Sequence, residues 1–391
     1  TDSYTLTNSS DEAQTVSVLY PFASSLGSLE TLRPTLTLNG AELETKLHAG
    51  SYAGGFEGAW GSGNESMGSV NLRQLRSWES YAALLEDGTY LDRAMGGFLD
   101  FSDVPVTVYT LSDPWGPEED NKAGIPNPSI RVMFDLDYSK TQVLSYGFNG
   151  GLWDEENGIM GKSFSIPQKT ESRYGESYYL LVIGDDIHDL TTQGYVTGGW
   201  DTTDTIDAGV TVTRTESDLE TSLRMLAALD ERDWAVSEPE SEEDFELYFG
   251  LLKEQLLSYG VLSSDPVERY ENGDFEGMHD VRGVARVFWL EAEITVPANG
   301  SVTLVSSARK EASFDYACAG TENKGVKGFD LVTRLASSLT FTGQSAHLED
   351  RGLIDIVRQN FGFDPENGIL DVTLDENTPH YYLEVKRKDE K

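Results

Sequence analysis

Ala285-Arg-Val-Phe-Trp-Leu-Glu-Ala-Glu-Ile-Thr-Val-Pro297 is followed by Ala298-Asn-Gly-Ser301 and then by Val302-Thr-Leu-Val305. The first run is long and mostly alternating, the mark of a strand with one buried face. The next four residues read as a turn, and the short run beyond is expected to pair back on the first. The same pattern recurs on both sides of this stretch. Tyr4–Thr7 and Thr15–Tyr20 flank a polar turn at Asn8–Glu12, which predicts an opening hairpin whose second strand stops at Pro21. Thr35–Leu38 closes on Asn39-Gly40 and continues into Leu43–Leu47. Val104–Leu111, Ile130–Leu136, Gln142–Gly147, Ser163–Ile166 and Gly209–Arg214 add further strands. Tyr178–Ile183 is nearly all apolar, so it is expected to be a central strand buried on both faces. Gly368–Leu374 and Tyr381–Arg387 predict a terminal hairpin around Asp375–Pro379.

Three stretches change period. Leu72, Leu75, Trp78, Tyr81 and Leu85 recur every three or four residues between a capping Asn71 and a stop at Gly88. The same spacing predicts helices over about Glu216–Leu229 and about Glu242–Tyr259, the second opened by Ser241 and closed by Gly260. Phe329–Leu339 is ambiguous between helix and strand. The fold class is therefore mainly β with a minor helical part, a β-rich α+β arrangement. It is built from antiparallel β-sandwich-like domains with two or three amphipathic helices. The acidic, proline-containing Ser237–Glu243 is the clearest composition shift. It suggests a β-rich domain over 1–215, a helical segment over 216–260 and a second β-rich domain over 261–391.

The chain has 391 residues, 67 of them acidic and 29 basic, for a formal net charge of −38. A nucleic-acid partner needs a basic face, so that class is excluded, and docking on an anionic membrane surface is disfavoured. No apolar run approaches the roughly 18–20 residues of a membrane span. Cys318 is the single cysteine, so no intrachain disulfide forms. The start at Thr1, the scarce lysine and the many glycines and aromatics lead to an expected extracytoplasmic location, with a leader or anchor removed. Solubility or a salt-rich source explains the same charge. Asn8-Ser-Ser10, Asn64-Glu-Ser66 and Asn299-Gly-Ser301 match the glycosylation sequon. The segments Asn8–Pro21 and Val296–Val302 resemble the hairpins of exported β-sandwich modules, and neither carries functional residues.

One form recurs four times: a glycine pair, an aromatic, then an acid. It appears as Gly54-Gly-Phe-Glu57, Gly96-Gly-Phe-Leu-Asp100, Gly150-Gly-Leu-Trp-Asp154 and Gly198-Gly-Trp-Asp201. A ring that stacks on sugar C–H faces beside a carboxylate that accepts hydroxyl protons suits a glycan. Phe56, Phe98, Trp153, Asp154, Trp200 and Asp201 are thus the candidate ligand-binding residues. The bland alternative is that each aromatic pins its own loop to the core. Asn272-Gly-Asp-Phe-Glu-Gly277 places oxygen donors at positions 1, 3 and 5 and glycine at 6, as calcium loops of the EF-hand type do. Asn272, Asp274, Glu276 and Asp280 are the candidate calcium ligands, although position 12 is Gly283 instead of the bidentate Glu. Asp185-Asp-Ile-His-Asp189 follows the buried strand and reads as a solvated turn.

These features point to a bacterial protein with a non-enzymatic binding or structural role at the cell envelope. A glycan, an envelope protein or calcium is the expected partner. The alternative is a glycoside hydrolase acting through a carboxylate pair, which 67 acids leave unassignable.

Overall fold

The computed structural model describes residues 1–52, 95–117, 127–169, 171, 173–234, 242–265, 272–278, 281–283, 285–310, 312, 314–315, 324–332, 337–349, 351–375, 377–378 and 380–388. The helix expected over 71–87 lies outside these residues. The chain divides into two compact units, Thr1–Gly97 with Arg282–Lys391, and Phe98–Val281. This division differs from the composition-based one. The break near residue 215 falls inside the second unit, because a strand there runs directly into a helix of the same unit.

In the first unit, β1 (Asp2–Asn8), β2 (Gln14–Ser25), α1 (Leu29–Leu32), β3 (Thr35–Leu38), β4 (Ala41–Glu42) and β5 (Lys46–Tyr52) come first. The second unit supplies β6 (Pro105–Trp115), β7 (Ser129–Asp135), β8 (Thr141–Tyr146), β9 (Gly150–Asp154), β10 (Ile159–Ser165), β11 (Tyr178–Gly184), β12 (His188–Tyr195), β13 (Thr205–Ile206), β14 (Gly209–Asp218), α2 (Leu219–Trp234), α3 (Glu242–Ser258) and β15 (Asn272–Asp274). The chain then returns to the first unit with β16 (Ala285–Val296), β17 (Gly300–Ser307), β18 (Phe314–Asp315), β19 (Val326–Val332), β20 (Gln344–His347), β21 (Ile354–Gln359), β22 (Asp371–Leu374) and β23 (His380–Arg387). The class is the expected one: mostly antiparallel β with few helices.

Pairing in the first unit departs from the local hairpins. β17 does not pair back on β16. It lies between β1 and β3 in the sheet β1-β17-β3-β4, while β16 lies between β2 and β5 in the sheet β2-β16-β5. The turns at 8–12 and 297–299 therefore both cross between sheets, side by side, with Asn299 N–H donating to the Ser10 carbonyl at 2.9 Å. Asn8 is buried and its Nδ2 donates to the carbonyls of Glu12, Val296 and Pro297, which locks the crossing. The crossing lets both sheets close over one core of Leu6, Val18, Tyr20, Leu36, Leu290, Ile294, Val302 and Leu304. A hairpin would bury only one face of each strand pair. β2 runs through Pro21 to Ser25, because β2 is an edge strand and proline needs no ladder partner on its free side. The Asn39-Gly40 hairpin forms as expected, both residues at positive φ (51° and 84°). The predicted terminal hairpin does not form: β22 pairs with β20, and β23 lies between β19 and β21. β19 settles Phe329–Val332 as strand.

The second unit is a sandwich of two five-stranded sheets, β13-β12-β7-β10-β9 and β14-β6-β11-β8-β15. Leu111, Ile130, Val132, Phe134, Val143, Met160, Phe164, Leu180 and Val182 fill the space between them. β11 is central and buried on both faces, as its unbroken apolar run implied. α2 buries Leu219, Leu223 and Leu226, and α3 buries Tyr248, Phe249, Leu252 and Leu256. Gln142, on the face of β8 turned from the sandwich core, donates to the Gly260 carbonyl and accepts from Leu262 N–H just beyond α3. Among the described residues no helix is long and apolar enough to cross a membrane.

Candidate functional site

β9 and β10 form a hairpin at one edge of the second sandwich. Its turn is closed by Asp154, whose carboxylate accepts from Asn157 N–H at 3.2 Å and from Asn157 Nδ2 at 2.8 and 3.0 Å. Register sets Trp153 opposite Met160 and Gly151 opposite Lys162. Strand alternation therefore puts Trp153, Gly151 and Lys162 on the core-facing side. The Trp153 indole lies flat over Gly151, where an added Cβ would come within 2.6 Å of the ring. The ring remains 46% exposed.

Lys162 sits between buried Met160 and Phe164, and its side chain is 1% exposed. An ammonium in such surroundings demands a partner. It finds one in the opposite sheet. β15 adds to β8 in parallel, with Asp274 opposite Ser145. Lys162 Nζ donates to Asp274 Oδ1 at 2.9 Å and lies 5.4 Å from the centre of the Trp153 ring. Ser145 Oγ lies 2.7 Å from the same carboxylate oxygen and 2.9 Å from the Gly273 carbonyl, its single proton serving one of them. Asp274 itself is 51% exposed.

Two residues on, Glu276 turns inward. One carboxylate oxygen accepts from Gly147 N–H, and the other is buried with no hydrogen bond among the described residues. Burial pushes this carboxyl above the usual range, and nearby Asp274 adds to the shift while Gly147 N–H and Arg173 oppose it. Arg173 Nη2 donates to the Gly147 carbonyl at 3.3 Å, and its guanidinium lies over the Tyr178 ring. Trp153, from the glycine–aromatic–acid set, and Asp274, from the calcium-loop set, thus meet through a lysine. Lys162 and Ser145 carry no sequence signal of this. Each is one polar residue in a strand, and only the strand register reveals that it faces inward.

The other candidates lie elsewhere. Trp200 covers the opposite face of the same sheet. A Cβ at Gly161 would come within 2.7 Å of both its ring and the Met133 sulfur. Arg131 lies between it and Tyr195, with its guanidinium 3.7 Å from the Tyr195 centroid and 5.1 Å from that of Trp200. Arg131 also donates to the carbonyls of Gly199 and Thr202. Trp200 thereby anchors the loop that bears the exposed Asp201. Phe98 lies over Gly250 of α3 and is 41% exposed. Beside it Lys253 donates to the Leu99 carbonyl and to Glu220 Oε1, which ties this segment to α2 and α3. The three described aromatics therefore do not converge on one cleft. Phe56 and Asp280 lie outside the described residues. Asn272 is the first residue of β15, its backbone paired with Val143. Among the described residues no three His, Cys, Asp or Glu side chains are grouped as a metal ion would require. In the turn 185–189, Asp186 accepts from Tyr109 Oη and from Arg214, a structural use of that acid.

No family model, no curated protein and no solved structure matches the chain.

Proposed function

We propose that this chain is a non-enzymatic binding protein of the bacterial cell envelope, whose second unit takes a glycan at the β9–β10 hairpin. Trp153 carries the reading: a large indole, half exposed at a sheet edge, braced from beneath by Gly151 and placed one residue before Asp154. A rigid aromatic face beside carboxylate and amide groups suits a sugar, whose C–H face stacks while its hydroxyls find acceptors and donors. The neighbouring carboxylates are already engaged: Asp154 by Asn157, Asp274 by Lys162 and Ser145, Glu276 by Gly147. That favours binding over turnover, since hydrolysis needs two carboxylates free to reach one glycosidic bond. The acidic, lysine-poor composition, rich in glycine and aromatics, supports the extracytoplasmic location.

A glycan array followed by titration of the retained sugars tests the reading. Trp153→Ala is expected to weaken binding about tenfold or more, a loss of about 1.4 kcal/mol, without lowering the melting temperature. Equal binding by that variant, or an array that retains nothing, counts against the proposal. One observation favours the hydrolase reading: Glu276 is partly buried, with one fully buried carboxylate oxygen, and its carboxyl is held above its ordinary range, the property of a general acid. Turnover of chromogenic glycosides that Glu276→Gln abolishes would establish it instead.

A further inference from the structure

The contact between Lys162 and Asp274 brings an amine and a carboxyl group together across the sandwich as an ion pair. We propose that the two side chains condense to an intramolecular amide, joining Lys162 Nζ to Asp274 Cγ and stapling the two sheets of the second sandwich at their shared edge. The reacting groups are already in contact at 2.9 Å, from β10 in one sheet to β15 in the other. Both are held in place: the lysine by the packed walls of Met160 and Phe164, and the carboxylate by the Ser145 hydroxyl on the same oxygen. Fixed proximity of this kind replaces a bimolecular encounter with an intramolecular one.

The step balances without an outside reagent. One ammonium proton passes to the carboxylate, and the amine lone pair forms the N–C bond at Cγ. The Cγ–O bond then breaks, and the departing oxygen leaves as water with the transferred proton and a second proton from nitrogen. The ammonium and the carboxylate become a neutral amide, which relieves the core of a buried charge. The half-exposed Asp274 side gives the water an exit to solvent. The product closes a loop between positions 112 residues apart, in a chain whose single cysteine rules out an internal disulfide. It also fixes β15, a three-residue strand otherwise held by its pairing with β8.

The test is the intact mass of the purified, denatured full chain, which does not depend on any variant folding. It is expected to be lighter than the sequence mass by one water. A tryptic digest is expected to yield a branched peptide joining the segments around Lys162 and Asp274, with no cleavage after Lys162. Lys162→Met and Asp274→Ala are expected at full mass, with melting lowered by about 10 °C. Asp274→Asn is expected to lose ammonia in place of water. A wild-type chain at full mass overturns the proposal. So does a loss of water without the branched peptide, which would mark a succinimide elsewhere.

Discussion

Glu276 carries the clearest energetic consequence of a single placement. Its folded-state pKa lies above the ordinary value because burial disfavours the charged form. The native state therefore holds its proton more tightly than the unfolded chain. The cost is absent at acid pH and grows as pH rises past the unfolded value of about 4.5 and through the raised native one. Glu276→Gln keeps an acceptor for Gly147 N–H and removes that cost. It is expected to melt higher than wild type at pH 7 and level with it near pH 4, and equal melting at both values would refute the assignment. The two tryptophans of the glycine–aromatic–acid set separate at the same scale. Trp200 covers Gly161 and stacks on Arg131, so Trp200→Ala is expected to destabilise the second unit by about 2 kcal/mol in urea unfolding. Trp153→Ala, at an exposed edge, is expected to leave stability almost unchanged.

Among the elements, α2 begins where β14 ends, and one residue makes the switch. Asp218 closes the strand, and its carboxylate then accepts from Thr221 N–H at 2.7 Å and Thr221 Oγ1 at 2.9 Å, capping the helix. These bonds hold its pKa below the ordinary 3.8. The stabilisation is complete above the unfolded pKa and is lost as pH falls through the lowered native one. Asp218→Ala is expected to lower the melting temperature at pH 7, with the gap to wild type closing as pH falls below the ordinary carboxylate value of 3.8. A gap that persists unchanged into acid would mean the side chain acts by packing and not by charge. Asp137, pulled down to about 2 by Ser139 and Lys140, fixes the turn before β8 in the same way.

On the scale of the whole molecule, the net charge of −38 is the dominant electrostatic fact. Self-repulsion of that size is relieved by screening, so melting is expected to rise with sodium chloride from low salt to about 0.15 M. Calcium at the same ionic strength separates a bound ion from screening. Asp274 is committed to Lys162 and Ser145, and Glu276 to Gly147, so millimolar calcium is expected to add no more than sodium does. A calcium-specific rise of roughly 5–10 °C, reversed by EDTA, would instead establish a true site among the acidic loops.

The sequence by itself determined the class, helices α2 and α3 and the long alternating or apolar strands, because alternation and three-to-four spacing report which face of each element is buried, whereas β9, β12, β15 and β21 carried no such signal. Tyr178–Ile183 could be read as central from its composition alone, and Asn39-Gly40 as a turn, since both signals are local. Pairing was not legible. β1 with β17 and β2 with β16 join residues roughly 260 to 300 positions apart, and the sheet-crossing turns that allow it resemble ordinary hairpin turns in sequence. The site was half legible for the same reason. Trp153 and Asp274 stood out as residue types in suggestive loops, but their meeting depends on the register of β10 and on β15 joining β8. That register is chosen by whole-core packing, which alone decided that Lys162 points inward, that Trp153 and Trp200 take opposite faces of one sheet, and that a lysine and an aspartate meet across the sandwich.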